Sequence, residues 1–173
     1  MRRSTFAGLF TVLTAVALLL CPACREPGGP GGPPVNPPPD SGLVACPSAS
    51  TQSGAALILP LGGTVSVAGS SVILPTGAVT VPTIISLRLP ASAYMEMELR
   101  AAGLDVFVFE LPLTVVMDYS RCASAALDAK PLRVWQIDPA TKEKIADMGG
   151  VDSKQSHTVT FTTGHLSGYA IAN

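Results

Sequence analysis

The segment 62–90, GGTVSVAGSSVILPTGAVTVPTIISLRLP, decides the fold. It holds three short apolar runs rich in β-branched residues: Thr64 to Val67, Ser71 to Leu74 and Thr83 to Leu89. Such runs, bounded by turn residues and too short for stable helices, read as strands. Gly69 stops the first run and Pro90 the third. Pro75-Thr76-Gly77 stops the second: Pro75 sets φ, and Gly77 permits the positive φ of a tight turn after Leu74.

The same grammar extends outward in both directions. Leu57 to Leu59 comes before it, closed by Pro60 and Gly62-Gly63. Val106 to Phe109, Leu113 to Met117, Leu132 to Ile137, Ile145 to Met148, His157 to Thr162 and Tyr169 to Ala172 come after it. Asp138-Pro139 marks a turn that makes a hairpin of the runs at 132–137 and 145–148. Tyr94 to Ala102 alternates Met95, Met97 and Leu99 with Glu96, Glu98 and Arg100, a strand with one wet face. Residues 120–129 suit a helical turn. About nine or ten strands at this spacing predict an all-β fold, an antiparallel β-sandwich, with Trp135 plugging its core.

The first forty residues give an address. Arg2 and Arg3 precede an apolar run, Phe6 to Leu20, too short to span a membrane and of the length of a signal-peptide core. Pro- and Gly-rich sequence follows, which favours extended polyproline geometry over a packed core. The expected organisation is therefore a signal peptide at 1–23, a disordered Pro/Gly/Ser-rich tether at 24–54 and the sandwich at 55–173. The order of cationic start, apolar core and Ala23-Cys24 resembles a bacterial lipoprotein precursor, which implies lipidation of Cys24 and attachment to the membrane through that lipid. The alternative is a signal simply cut near Ala23. The implied location is the outer membrane or cell surface, otherwise the periplasm or the medium. Cys46 and Cys122 are then an even pair in an oxidising compartment, either a disulfide or two free thiols.

Without residues 1–23 the chain keeps 9 of its 11 basic and all 12 of its acidic residues, a net charge of −3. That excess of acid argues against nucleic acid, which demands a basic face, and gives no basis for binding anionic lipid.

Five segments then carry a resemblance: GGTVSV at 62–67, VILPTGAV at 72–79 with IISLRL at 84–89, FELPLTVVMDY at 109–119, LRVWQID at 132–138 and VTFTTGHLSGYAIA at 159–172. In this order they resemble the ZU-five domain, a β-sandwich module of zonula occludens proteins, netrin receptors and ankyrins, in a secreted bacterial version. Thr76 stands where the family pattern has a second proline, and Leu166 where it has phenylalanine. In some members the triplet matching His165-Leu166-Ser167 cuts itself by an N-to-O acyl shift. The resemblance implies Ser167 as attacking hydroxyl and His165 as base.

The remaining chemistry is thin. The sequence lacks a Gly-x-Ser-x-Gly elbow, a His-Glu-x-x-His helix, a phosphate loop and a dinucleotide fingerprint. His157 reads as a solvated edge residue, Glu96 and Glu98 as a solvated face, and Met95 and Met97 as core. Asp138, Asp147 and Asp152 read as turn residues. No metal or other cofactor is expected. The functional expectation is a non-enzymatic module that binds a protein or a cell-envelope component. Its rivals are self-processing at Leu166-Ser167 and, last, an extracytoplasmic enzyme.

Overall fold

Strands β1 (Gln52–Ile58), β2 (Gly63–Val67), β3 (Ser70–Leu74) and β4 (Thr83–Leu89) follow the punctuation of the sequence closely. The β2–β3 hairpin turns on two residues, Ala68 at φ 46° and Gly69 at φ 83°, the paired positive values of a turn matched to strand twist. A side chain at Gly69 would be strained by the positive φ and would push aside the carboxylate of Asp118, so glycine is favoured there. Gly77 has φ 85°, as the turn after Leu74 requires. The structure, a computed structural model, describes residues 42–173 apart from Ser48, Asp105 and Val106. The expectations for the signal peptide, for Cys24 and for the tether up to residue 41 lie outside the described residues.

The chain continues through β5 (Glu96–Ala101), β6 (Val108–Asp118), a 3-10 turn at Ser120–Cys122 and a single helical turn, α1 (Ala125–Asp128). Then come β7 (Arg133–Ile137), β8 (Lys144–Gly149), β9 (Val151–Ser153), β10 (Thr158–His165) and β11 (Gly168–Ala172). The protein is an all-β antiparallel sandwich of two sheets, ordered β1-β4-β5-β11-β7-β8 and β2-β3-β6-β10-β9. β6 unites the two runs flanking Pro112, and the β6–β10 register shifts between Thr163 and His165 near that proline. Pro cannot donate to a ladder, so a break in register beside it is the expected accommodation. β9 has no counterpart among the strands read from the sequence.

Between the sheets lie the inward residues of the period-two alternation: Val72, Ile85, Leu87, Leu113, Val115, Met117, Val134, Val159 and Ile171 are fully buried. Each contributes roughly 1.5–3 kcal/mol by leaving water. Met95 and Met97 belong to the same core. Trp135 does not. Its partner across β11 is Ala170, which places it on the outer face of the six-stranded sheet. There it is half-buried in a second cluster with Leu43, Tyr94, Ile137, Ala170 and Ala172, and the Lys144 ammonium sits 4.8 Å above its ring. Tyr119 and Tyr169, both wholly buried, fill the core that the sequence reading gave to the tryptophan.

The fold also reaches further towards the N-terminus than residue 55. β1 begins at Gln52, and a strap at residues 43–46 joins the six-stranded sheet. Val44 donates to Ile171 O at 2.9 Å and accepts from Met95 N at 3.0 Å. Cys46 is disulfide-bonded to Cys122, their Cα atoms 4.5 Å apart, and Arg121 donates to the carbonyls of Pro47 and Tyr94.

Candidate functional site

β5 and β11 run side by side for three residue pairs, Glu96–Ala170, Met97–Tyr169 and Glu98–Gly168. The strap closes one end of this ladder. At the other end the strands part after one last link, Leu99 N–H donating to Ser167 O at 3.0 Å. The gap is a cleft of about 610 Å³, with residues 99–104 along one side, residues 166–168 along the other, and Ser86, Glu98 and Pro139 completing the lining.

Its charge arrangement follows from register. β4 pairs with β5 so that Arg88 stands opposite Glu98, and Arg100, two residues further on, shares that face. Glu98 Oε1 accepts from Arg88 at 2.9 Å. Glu98 Oε2 accepts from Arg100 Nε at 3.2 Å and from its terminal nitrogen at 2.9 Å. The carboxylate is thus buried between two guanidinium groups, its side chain 10% exposed while that of Arg100 is 66% exposed. Glu96, on the same face, is buried against Lys142, whose ammonium lies 2.6 Å from Oε2; Oε1 is buried and has no hydrogen-bond partner among the described residues. The wet face expected of Glu96 and Glu98 is therefore a covered one. The sequence showed the alternation, but Arg88 and the β7–β8 turn, which with the neighbouring Arg100 cover it, come from other strands and turns.

That turn is set by Asp138, whose carboxylate accepts from the backbone N–H groups of Ala140 and Thr141. The bonds from Thr141 first and Ala140 second hold its carboxyl below the usual range. Lys142 takes φ 64° there and so points at Glu96.

The structure brings Glu98, Leu166 and Ser167 to one cleft and sends other singled-out residues elsewhere. His165 ends β10, its Nε2 3.3 Å from Gln136 Oε1 and its carbonyl accepting from the Tyr169 hydroxyl at 2.8 Å. Burial pushes the Tyr169 phenol up from its ordinary value, and Thr163 Oγ1 lies 2.7 Å from it. The positive-φ non-glycine residues in the described chain are Ala68, Lys142 and His157; the triplet 165–167 is not among them.

His157 is a turn residue rather than the start of a strand, its ring edge-on to Tyr119 with centroids 5.6 Å apart. Asp138 is a turn residue as expected, but Asp147 lies in β8 against Arg133, and Asp152 lies in β9. Asp152 was the least legible. It accepts from the Tyr119 hydroxyl at 2.8 Å and from Leu132 N–H at 3.1 Å, and pairs with Lys154 at 2.7 Å. Burial first, and Asp152 second, push the Tyr119 phenol far above its ordinary value.

Among the described residues there is no group of three or more His, Cys, Asp or Glu side chains arranged to hold a metal ion. No helix among them is long and apolar enough to cross a membrane. No protein-family model matches the chain, and comparison with curated proteins finds no similar one.

Proposed function

We propose that this protein is a non-enzymatic binding module of the bacterial cell envelope, exported by its signal peptide, lipidated at Cys24 and engaging a protein or envelope component. The observation that carries the reading is where the cleft lies. The chain enters the sandwich at Gly42, which accepts from Asn173 N–H at the far end of β11. The cleft lies beyond the opposite ends of β5 and β11, about 20 Å away at strand rise. The entry of the chain at Gly42 and the cleft thus lie at opposite ends of the β5–β11 ladder. The Cys46–Cys122 disulfide is compatible with an oxidising compartment, and the resemblance to the ZU-five domain supports a module of this kind.

Crosslinking the chain in intact cells and capturing it from envelope fractions tests the proposal. A defined crosslinked species that is missing from cells without the protein is the expected result. Cys24→Ala should move the protein from the detergent phase to the aqueous phase. The self-processing reading requires instead that denaturing mass spectrometry show loss of the last seven residues, Ser167 to Asn173, abolished in Ser167→Ala; we expect the bond to stay intact.

A further inference from the structure

We propose that the cleft between β5 and the β10–β11 link binds the C-terminal carboxylate of a peptide, with Arg100 as the carboxylate-binding group. The inference rests on the binding-module reading and names its ligand.

Three observations carry it. The first is size: about 610 Å³ is within the range of sites that hold a small ligand or a few peptide residues. The second is the state of Arg100. Glu98 fixes its guanidinium through Nε and one terminal nitrogen, and the group remains 66% exposed. Its other N–H donors are left for a ligand, and a guanidinium presents them in a fork matched to a carboxylate. Because Glu98 already holds the side chain, binding orders little more of it. Glu98 is here a positioning residue.

The third observation is charge. Glu98 and Arg100 line the cleft, and Arg88, just outside the lining, also pairs with Glu98, so the three groups together carry one positive charge beside it. One negative charge balances it. A phosphate dianion would bring its second charge against the buried Glu98 carboxylate. The rest of the lining suits a peptide rather than a sugar. Ala101, Ala102, Leu104 and Leu166 offer aliphatic surface next to the guanidinium. Leu99 donates its N–H to Ser167 O, and Ala101, two residues along β5, is bridged to Leu104, whose N–H donates to Ala101 O at 3.3 Å and closes that side of the cleft.

The test is a two-dimensional amide NMR titration of the full exported chain with N-acetyl-Ala-Ala-Leu bearing a free carboxylate. The same peptide as its C-terminal amide, glucuronate and inorganic phosphate are titrated in parallel. The acid should shift the amides of Leu99, Ala101, Ser167 and Gly168 and saturate. The amide should bind at least tenfold more weakly, and so should the acid to Arg100→Gln. Arg133→Gln, which removes an arginine of β7 outside the cleft lining, should leave binding unchanged. The comparison of acid with amide needs no variant, so it stands even if Arg100→Gln fails to fold. The proposal is overturned if amide and acid bind equally, if glucuronate or phosphate binds more tightly, if Arg100→Gln has no effect, or if none of the probes binds. Capture of an envelope partner by the wild-type chain is scored separately, so loss of the carboxylate site and loss of the binding function are distinguishable.

Discussion

The two outer faces of the sandwich are built on the same period-two alternation and end in different states. On the five-stranded sheet the outward positions of β2, β3, β6 and β10 include Thr64, Ser66, Ser71, Thr114, Thr158, Thr160 and Thr162. These are short hydroxyl side chains at half-buried or exposed sites. On the six-stranded sheet the outward positions of β4, β5 and β7 include Arg88, Glu96, Glu98, Arg100 and Trp135. Here the acidic side chains are buried, covered by Lys142 of the β7–β8 turn and by the two arginines. One face is a plain solvated surface. The other is a second layer of structure, with charge held in it at the edge of the cleft. Position on an outward face therefore does not decide exposure; what packs over that face does.

The comparison can be broken most strongly at the strap. Replacing Cys46 and Cys122 together by Ser opens a link across 76 residues and should cost about 4 kcal/mol in the chain-entropy model. Equilibrium denaturation of the oxidised protein and the double variant measures it, and non-reducing peptide mapping checks the pairing itself. The next largest effect belongs to Lys142→Met, which leaves the Glu96 carboxylate buried and unpaired. It should destabilise by about 3 kcal/mol, and the double variant Glu96→Gln/Lys142→Met should recover most of the loss. If single and double variants unfold together, the charge on that face is not energetically coupled.

Tyr169→Phe probes the inside of the fold next to the cleft. It removes a hydroxyl bound to Thr163 and to His165 O, at a cost of about 1–2 kcal/mol. Burial raises this phenol's pKa, so its contribution is complete below the ordinary value near ~10 and falls as pH rises above it, where the unfolded chain ionises first. Stability of the wild type should decline above pH ~10, and less steeply in Tyr169→Phe. The smallest effect is expected on the hydroxyl face. Thr160→Val should change stability by no more than about 0.5 kcal/mol, since valine keeps the branched shape at a half-buried outward site. A loss as large as that of Lys142→Met would erase the contrast between the two faces.

The strands were legible because they needed only local chemistry. Thr83 to Leu89 matches β4 residue for residue, and Pro75 with Gly77 placed its turn, since β-branching, alternation and φ preference act within a few residues. Trp135 was not legible. Arg133, Trp135 and Ile137 alternate with Leu132, Val134 and Gln136, and both sets contain large apolar residues. Pairing with β11 chose between them. Of the cleft, Glu98, Leu166 and Ser167 attracted notice in the sequence, each for a different reason. Arg100 was read only as part of a wet face, and Arg88 not at all, because its role exists only once β4 and β5 are in register.

By itself, then, the sequence determined an all-β sandwich and the sites of most of its turns, because period, propensity and turn chemistry are short-range. The proposed export and anchoring likewise rest on linear features of the first residues. Only the tertiary structure decided which outward side chains are wet, which aromatic residues fill the core, and that a carboxylate clamped by two arginines stands beside Ser167. Those outcomes depend on residues brought together from β4, β5, the β7–β8 turn and the β10–β11 link. Strand register and burial set such contacts, and neither is encoded in any one stretch of chain.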